Sequence, residues 1–151
     1  MILGTGIDAV SIDRMKKLQG RVLEKIFNPE ELERYRELEN AHEDVRAQFL
    51  ASRFAVKEAY AKARGTGFST VVVPNEIITR KEEDGRPYVA LCGTTLDNAP
   101  KSVIHLSLTH EQPLAIAMVV IESVNEQTVG SDVGSDVGSD VESDVESDGD
   151  E

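Results

Sequence analysis

The sequence predicts an α+β fold in which an antiparallel sheet packs against a long central helix. Three observations predict it: an apolar segment at the amino end, a helical run from Glu43 to Arg64, and a second half that reads as successive strands. Because short turns join those later strands, we expect them to pair antiparallel on one side of the helix. The chain has 151 residues, 40% hydrophobic and 29% charged, which suits one globular domain.

The first segment, residues 2–10, is apolar and punctuated by glycine, which predicts a buried strand. Its one charged residue is Asp8, near the carboxyl end of that strand. A buried carboxylate is costly unless it is paired. Asp8 is therefore expected to have a cation, a metal ion or a helix terminus as its partner.

Ser11 is a good N-cap, and the residues after it predict a first helix. Four basic residues recur there at spacings of three and four, so they would share one helical face: Arg14, Lys17, Arg21 and Lys25. We call these four residues the basic surface. It is either an ordinary solvated face or a docking surface for an acidic partner.

The next two helices have clear signals. Asn28 followed by Pro29 predicts a helix start, with Glu31 placed to complete a capping box, and a short helix follows to about Leu38. The long helix covers residues 43–64 and is ended by a glycine cap at Gly65. Its larger apolar side chains are expected to point inward: Val45, Phe49 and Phe54.

Glu58 and Lys62 lie four residues apart on the long helix and therefore on the same face. Such a pair is often only a surface contact worth a few tenths of a kcal/mol, about 0.2–0.5. Here alanines surround the pair, and a Gly65-Thr-Gly67 turn follows it. Small residues let another segment or a flat ligand approach the helix closely, so a functional role is the alternative.

The second half predicts two hairpins. Asp84-Gly85 separates strands at 76–80 and 87–91, and this dipeptide is a strong hairpin signal. A brief helix at 95–99 is followed by strands at 102–109 and 114–121.

Charge is distributed unevenly along the chain. The net charge is −12, but residues 126–151 hold ten of the 28 acidic groups and no lysine or arginine. Residues 1–125 then contain eighteen acids against sixteen bases, a net charge of about −2. The sequence therefore divides into a folded domain, 1–125, and an acidic tail, 126–151.

The acidic tail repeats Ser-Asp-Val-Gly and Ser-Asp-Val-Glu. Glycine, serine and aspartate are poor helix formers, and one valine in four does not offset the entropy of ordering, which predicts disorder. The simpler interpretation is a solubilising tail. Ser139 and Ser143 each precede a glutamate by three residues, so phosphorylation is the alternative.

One cysteine, Cys92, excludes an internal disulfide and suits a reducing compartment. The sequence shows neither a signal-peptide pattern nor a long apolar span. We expect a cytoplasmic protein with no membrane or nucleic-acid partner.

If Asp8 and Glu58 meet in space, they form a hard-oxygen site of the kind that Mg²⁺ accepts. Phosphate charge would be neutralised further by nearby bases: Arg14, Arg53, Lys57, Lys62 and Arg64. Sequence spacing alone does not bring the two carboxylates together.

A family resemblance does. Segment 6–14, GIDAVSIDR, and segment 53–63, RFAVKEAYAKA, resemble the two signature motifs of the 4'-phosphopantetheinyl transferases. The short length, the Gly65-Thr-Gly67 turn and the HLSLTH strand at 105–110 are similar to the holo-acyl-carrier-protein synthase branch. The resemblance covers residues 1 to about 122 and implies the fold of that family.

The resemblance implies Mg²⁺-dependent transfer of 4'-phosphopantetheine from coenzyme A to a serine of apo acyl carrier protein, in fatty acid biosynthesis. Asp8 and Glu58 would bind Mg²⁺, and Lys62 would stabilise charge on the phosphate. The serine proton would go to a hydroxide on the metal or to a Glu58 oxygen. Coenzyme A contacts are expected at Arg53, His105 and Thr109, although His105 also suits a purely structural hydrogen bond.

The resemblance also gives the basic surface a purpose, because acyl carrier proteins are acidic. It further implies a homotrimer with active sites at the subunit boundaries. The acidic tail departs from the family pattern: it is either a solubility tail or a weak inhibitor that competes with the carrier. The rival functions are another Mg²⁺-dependent phosphotransferase and a non-catalytic protein that acts through its tail.

Overall fold

A computed structural model describes residues 1–125, and the predicted disordered tail lies outside these residues. The secondary structure comprises β1 (Ile2–Ser11), α1 (Ile12–Met15), α2 (Arg21–Ile26), α3 (Pro29–Glu37), α4 (Glu43–Ala63), a 3₁₀ turn (Pro74–Glu76), β2 (Ile77–Lys81), β3 (Pro87–Leu91), α5 (Gly93–Asp97), β4 (Ser102–Glu111) and β5 (Leu114–Ser123). The predicted α+β class is confirmed, including the long helix.

The main sheet has three antiparallel strands in the order β1-β5-β4. Its register aligns Asp8 with Ala117 and Ala117 with Leu108. The hairpin predicted around Asp84-Gly85 is confirmed as β2 and β3, but it forms a separate two-stranded sheet. The first strand therefore pairs with the last, and β1 is an edge strand.

Helix α4 packs on the inner face of the main sheet, directly against the backbone of β1. Gly4, Gly6 and Asp8 alternate along β1 and share this face. A Cβ on Gly4 would lie 1.9 Å from the carbonyl oxygen of Ala63, and one on Gly6 would lie 1.9 Å from that of Ala59. The two glycines therefore let the helix approach closely, which sets its Glu58 to Lys62 turn beside Asp8.

This close approach makes Gly6 sensitive to a single methyl group. We expect Gly6→Ala to destabilise the fold by about 3 kcal/mol or more, at the upper end of overpacking costs, because a backbone carbonyl cannot move aside as a side chain can. Transfer activity should fall as well, since α4 carries Glu58 and Lys62. Urea unfolding and a rate assay on the same sample check this, and unchanged stability would contradict the packing described.

Two predictions about β1 and α4 are wrong in detail. Strand β1 was expected to be buried, but only one face is covered, and Ile7 on the other face is 61% exposed. Val45 was expected to point inward but is 49% exposed, because it lines an open groove rather than the core. Phe49 and Phe54 do pack against the core.

The predicted first helix is also wrong, because it is two short helices. Helix α1 ends at Met15, and Gly20 adopts a left-handed φ of 64° before α2 begins. The four residues of the basic surface are all exposed, but they follow two helices and the turn between them. They form a basic segment rather than one helical stripe.

Helix α3 begins as predicted, with Asn28 as N-cap and Glu31 completing the capping box. Glu31 has a second role, since its Oε1 accepts a hydrogen bond from Lys57 Nζ at 2.5 Å. Lys57 is fully buried and also donates to the carbonyl oxygens of Pro74, at 3.0 Å, and of Ile77. A buried ion pair thus joins α3, α4 and the start of β2.

Candidate active site

Asp8 and Lys62 are in direct contact at the inner face of β1. Lys62 Nζ lies 2.8 Å from Asp8 Oδ1 and also donates to the carbonyl oxygen of Ile7 at 2.9 Å. The Asp8 side chain is 18% exposed and that of Lys62 is 51% exposed. The partner expected for Asp8 is therefore a cation, one that solvent can still reach.

Glu58 lies beside this pair and is half-buried. Burial raises the pKa of Glu58, and the nearby charge of Asp8 raises it further. Lys62 and Arg14 lower the pKa of Glu58 but do not cancel these effects. The structure thus brings Asp8, Glu58 and Lys62 together, with Arg14 of the basic surface within electrostatic reach.

The donor set fits a hard divalent cation. Two carboxylates converge, and their mutual repulsion is relieved by a positive ion, so a cation between them is electrostatically favourable. Within residues 1–125, no group of three or more histidine, cysteine, aspartate or glutamate residues is placed to hold a metal. A metal ion here would therefore keep open positions for water or phosphate oxygens, as Mg²⁺ does.

Three of the bases expected near the carboxylates lie elsewhere: Arg53 lines a groove beside the β2–β3 hairpin, and Lys57 and Arg64 are held by other residues. Lys57 is engaged with Glu31 in the core, so its charge is unavailable to a ligand. Burial lowers the pKa of Lys57, an effect that the Glu31 carboxylate opposes. Arg64 donates to the carbonyl oxygen of Asn98 at 3.1 Å and to the Tyr60 hydroxyl at 3.3 Å.

A basic groove lies between α4 and the β2–β3 hairpin. It consists of two adjoining cavities of about 350 Å³ each. The two cavities share four of their lining residues: Phe49, Arg53, Thr79 and Lys81. We call this region the hairpin groove; it suits a flat, anionic ligand.

Arg53 belongs to the hairpin groove and not to the carboxylate site. Its guanidinium carbon lies 3.9 Å from the centre of the Phe49 ring. Its Nε is buried without a hydrogen-bond partner among residues 1–125, and burial lowers the pKa of this group. Arg53 thus brings a positive charge to the wall of the hairpin groove, which favours an anionic ligand there.

His105 and Thr109 lie on the outer face of β4, away from α4. His105 Nε2 is 3.3 Å from Glu122 Oε1 on the neighbouring strand. Asp8 is on the inner face of β1, at the opposite edge of the sheet. One chain therefore does not bring His105, Thr109 or Arg53 to the carboxylates.

The outer face of the main sheet is uncovered; β4 presents His105 and Thr109 on it, and the rest carries an apolar patch. Ile7 is 61% exposed, Val103 47% and Met118 45%. The register places Ile7 beside Met118 in the middle of this face. An uncovered apolar sheet face of this kind is typical of an interface between subunits.

Sequence reasoning missed the hairpin groove and the second role of Glu31, its buried ion pair with Lys57. The groove joins residues from α3, α4 and β2 that are far apart in the chain, so no local pattern marks it. The one weak sequence signal for the groove is Arg80, a basic residue on the predicted hairpin. In the structure, Arg80 Nε lies 2.9 Å from Glu30 Oε2. Within residues 1–125, no helix has both the length and the apolar character to cross a membrane.

Comparison with known proteins matches a region that contains both signature segments, 6–14 and 53–63. The family model described as "4'-phosphopantetheinyl transferase superfamily" matches residues 4–119. The holo-[acyl-carrier-protein] synthase of Treponema denticola is 42% identical over 127 residues, covering 81% of this chain and 99% of its own length. The Bacillus subtilis protein of the same name is 38% identical over 128 residues, covering 83% and 99%.

Solved structures give the same result for the fold. A holo-(acyl-carrier-protein) synthase from Bacillus anthracis, in complex with CoA (3',5'-ADP), aligns with a TM-score of 0.71 at 33% identity, covering 82% of this chain and 99% of that one. The Helicobacter pylori enzyme in complex with coenzyme A aligns with a TM-score of 0.64 at 28% identity, covering 78% and 99%.

Proposed function

This chain belongs to the 4'-phosphopantetheinyl transferase superfamily and is a transferase of the holo-acyl-carrier-protein synthase type; we propose that it modifies apo acyl carrier protein, using coenzyme A and Mg²⁺. The observation that carries the proposal is the convergence of Asp8, Glu58 and Lys62, which come from the two motifs that resemble the family signatures. Fatty acid biosynthesis is the pathway that we propose.

The proposed reaction is attack of a carrier serine hydroxyl on the β-phosphorus of coenzyme A. A phosphorus–oxygen bond forms to the serine, the bond to the bridging pyrophosphate oxygen breaks, and adenosine 3',5'-bisphosphate leaves. Lys62, still half exposed, is placed to stabilise charge on the phosphate oxygens. The Glu58 carboxylate, on the same helical face as Lys62, is the proposed acceptor for the serine proton.

Asp8 and Glu58 would hold the Mg²⁺. When bound, the ion would neutralise pyrophosphate charge in a reaction whose catalysis is mostly positioning and electrostatics. Asp8 is oriented for this by its contact with Lys62, which leaves its second carboxylate oxygen available.

We further propose that coenzyme A is bound between two copies of the chain. Arg53 in the hairpin groove and His105 and Thr109 on β4 lie at one edge of the sheet, and the carboxylates lie at the other. A neighbouring copy that presents its β4 edge to β1 of the first would bring these residues to the same ligand. The positive charges of Arg53 and Lys81, which line both cavities of that groove, support an anionic nucleotide group there.

The proposed assembly is a homotrimer closed over the outer face of the sheet. Its support is the exposed apolar surface around Ile7, Val103 and Met118, which a subunit interface would cover. Exposed cations of the basic surface would then be free to dock an acidic carrier. The cytoplasm is the proposed compartment, since the chain has a single free cysteine, Cys92.

Met118 tests the assembly. Met118→Glu places a charge in the middle of the proposed interface, so we expect dissociation to monomers and at least about a tenfold loss of transfer, because burying an unpaired charge costs several kcal/mol. Light scattering during size-exclusion chromatography gives the mass. Leu96→Glu on α5, 53% exposed in the wild type, is the matched control and should leave the mass unchanged. A trimer that survives Met118→Glu contradicts the proposed interface.

Mass spectrometry tests the function itself. Apo acyl carrier protein incubated with this protein, coenzyme A and Mg²⁺ should gain one phosphopantetheine on its serine, and a chelator should prevent the gain. A phosphotransferase of another kind would consume a nucleotide without modifying the carrier. No gain with several carriers, from a folded sample, would reject the proposed activity.

A further inference from the structure

The basic surface carries four positive charges, and none of them is held in an ion pair within residues 1–125. Its four side chains are exposed. Lys16, within the same segment, is by contrast held by Asp13 at 3.0 Å and by Asp44 at 2.6 Å. The local structure therefore pairs Lys16 and leaves the four side chains of the basic surface without an ion-pair partner among the described residues.

The same chain contains a segment of opposite charge. Residues 126–151 hold ten acidic groups and no basic one, whereas residues 1–125 are close to neutral. A basic surface attracts an acidic segment by the same complementarity that it offers to an acidic carrier.

The acidic segment has no counterpart in the relatives. The Treponema denticola protein is matched over 99% of its own length by only 81% of this chain, and the family model ends at residue 119. The folded enzyme is therefore the part that is shared, and residues 126–151 are an addition specific to this chain among the proteins compared.

Chain length permits contact between the two. Ser123 donates to the carbonyl oxygen of Met1, so the chain leaves the sheet at the start of β1, while the basic surface begins just beyond its end at Ser11. Ten residues of strand span about 33 Å. A segment of 26 residues spans at most about 94 Å when fully extended, which is more than enough to reach the basic surface.

The basic surface also adjoins the carboxylate site. Arg14 lies in α1, which directly follows the strand of Asp8 and packs against α4, the helix that carries Glu58. An acidic segment bound along Arg14, Lys17, Arg21 and Lys25 would therefore lie at the approach to Asp8 and Glu58, where a carrier serine must enter.

We propose that the acidic segment 126–151 binds the basic surface in place of an acidic carrier and inhibits transfer by competition. Competition presupposes the proposed function, since the displaced partner is the carrier. The interaction is between exposed charges, so it should be strong at low ionic strength and weak at high ionic strength.

A binding experiment tests the contact without any turnover. The host is the full chain with its ten tail acids changed to the corresponding amides, and the probe is a fluorescent peptide of residues 126–151. Anisotropy should show saturable binding at about 20 mM salt that is lost at about 500 mM. Adding Lys17→Glu and Lys25→Glu should weaken binding at least about tenfold, while the control pair Arg36→Glu and Lys101→Glu, exposed and outside the basic surface, should not.

A kinetic experiment tests the inhibition. In the amide-tail variant at low salt, KM for the carrier should fall about threefold or more relative to wild type, with kcat and KM for coenzyme A unchanged. A control that keeps every acid changes the repeat serines to alanine at Ser131, Ser135, Ser139, Ser143 and Ser147, and it should behave as wild type.

The outcomes separate the two proposals. Peptide binding that is absent, or equal in the Lys17/Lys25 and Arg36/Lys101 variants, overturns the contact whether or not the protein transfers phosphopantetheine. Binding at the basic surface with an unchanged carrier KM overturns competition. A protein that binds the peptide but modifies no carrier rejects the proposed function instead, and with it the inhibitory role.

Discussion

Replacing Glu58 by alanine is expected to abolish phosphopantetheine transfer, with kcat/KM falling at least about a thousandfold, equivalent to about 4 kcal/mol of transition-state stabilisation. Glu58 is half-buried beside Asp8 and Lys62, so its removal takes away one of two proposed metal ligands and the proposed proton acceptor together. Both losses act on the transition state, since each concerns charge that develops during the reaction. The loss should therefore fall mainly on kcat.

The same helix provides a control. Glu43, in the first turn of α4, is exposed and remote in sequence from the carboxylate site, so Glu43→Ala should keep full activity. Metal binding gives an independent readout, because Mn²⁺ bound in place of Mg²⁺ is detected by its electron paramagnetic resonance signal. Glu58→Ala should lose this binding and Glu43→Ala should retain it. More than a tenth of wild-type transfer in folded Glu58→Ala would reject the proposed role of Glu58.

The sequence predicted the features that depend on local order along the chain. The caps at Asn28 and Gly65 and the Asp84-Gly85 turn are each set by neighbouring residues, and each is found. The meeting of Asp8 with Lys62 required the family resemblance, because no local pattern states which strand α4 will cover. Gly20 could have predicted the break between α1 and α2, because a glycine inside a run of helical spacing frequently ends a helix.

Long-range contacts explain what the sequence did not reveal. Lys57 looked like one more base on a basic helix, yet it is buried because Glu31, twenty-six residues earlier, supplies its counter-charge. The family resemblance assigned Arg53 to coenzyme A, but its place in the hairpin groove follows from the packing of β2 on α4. Binding roles for Arg53, His105 and Thr109 stay predictions.

The buried pair of Lys57 and Glu31 should dominate the stability of the fold. We expect Lys57→Met to lower the free energy of unfolding by about 3–5 kcal/mol, because it leaves the Glu31 carboxylate buried without its cation. Two backbone carbonyl oxygens, of Pro74 and Ile77, lose their donor as well. Urea unfolding followed by circular dichroism measures the change.

A double variant separates the charge from the volume. Glu31→Gln removes the charge and keeps one oxygen, which can accept from the backbone N–H of Asn28 as Oε1 of Glu31 does, but the Thr79 N–H loses its acceptor, Oε2. Lys57→Met combined with Glu31→Gln should therefore recover part of the lost stability. The exposed pair of Arg34 and Glu37 provides the comparison, since Arg34→Ala should cost less than about 1 kcal/mol. If Lys57→Met lowers the free energy of unfolding no more than Arg34→Ala does, the ion pair does not stabilise the packing of α3 and β2 on α4. Apolar packing alone would then maintain the hairpin groove.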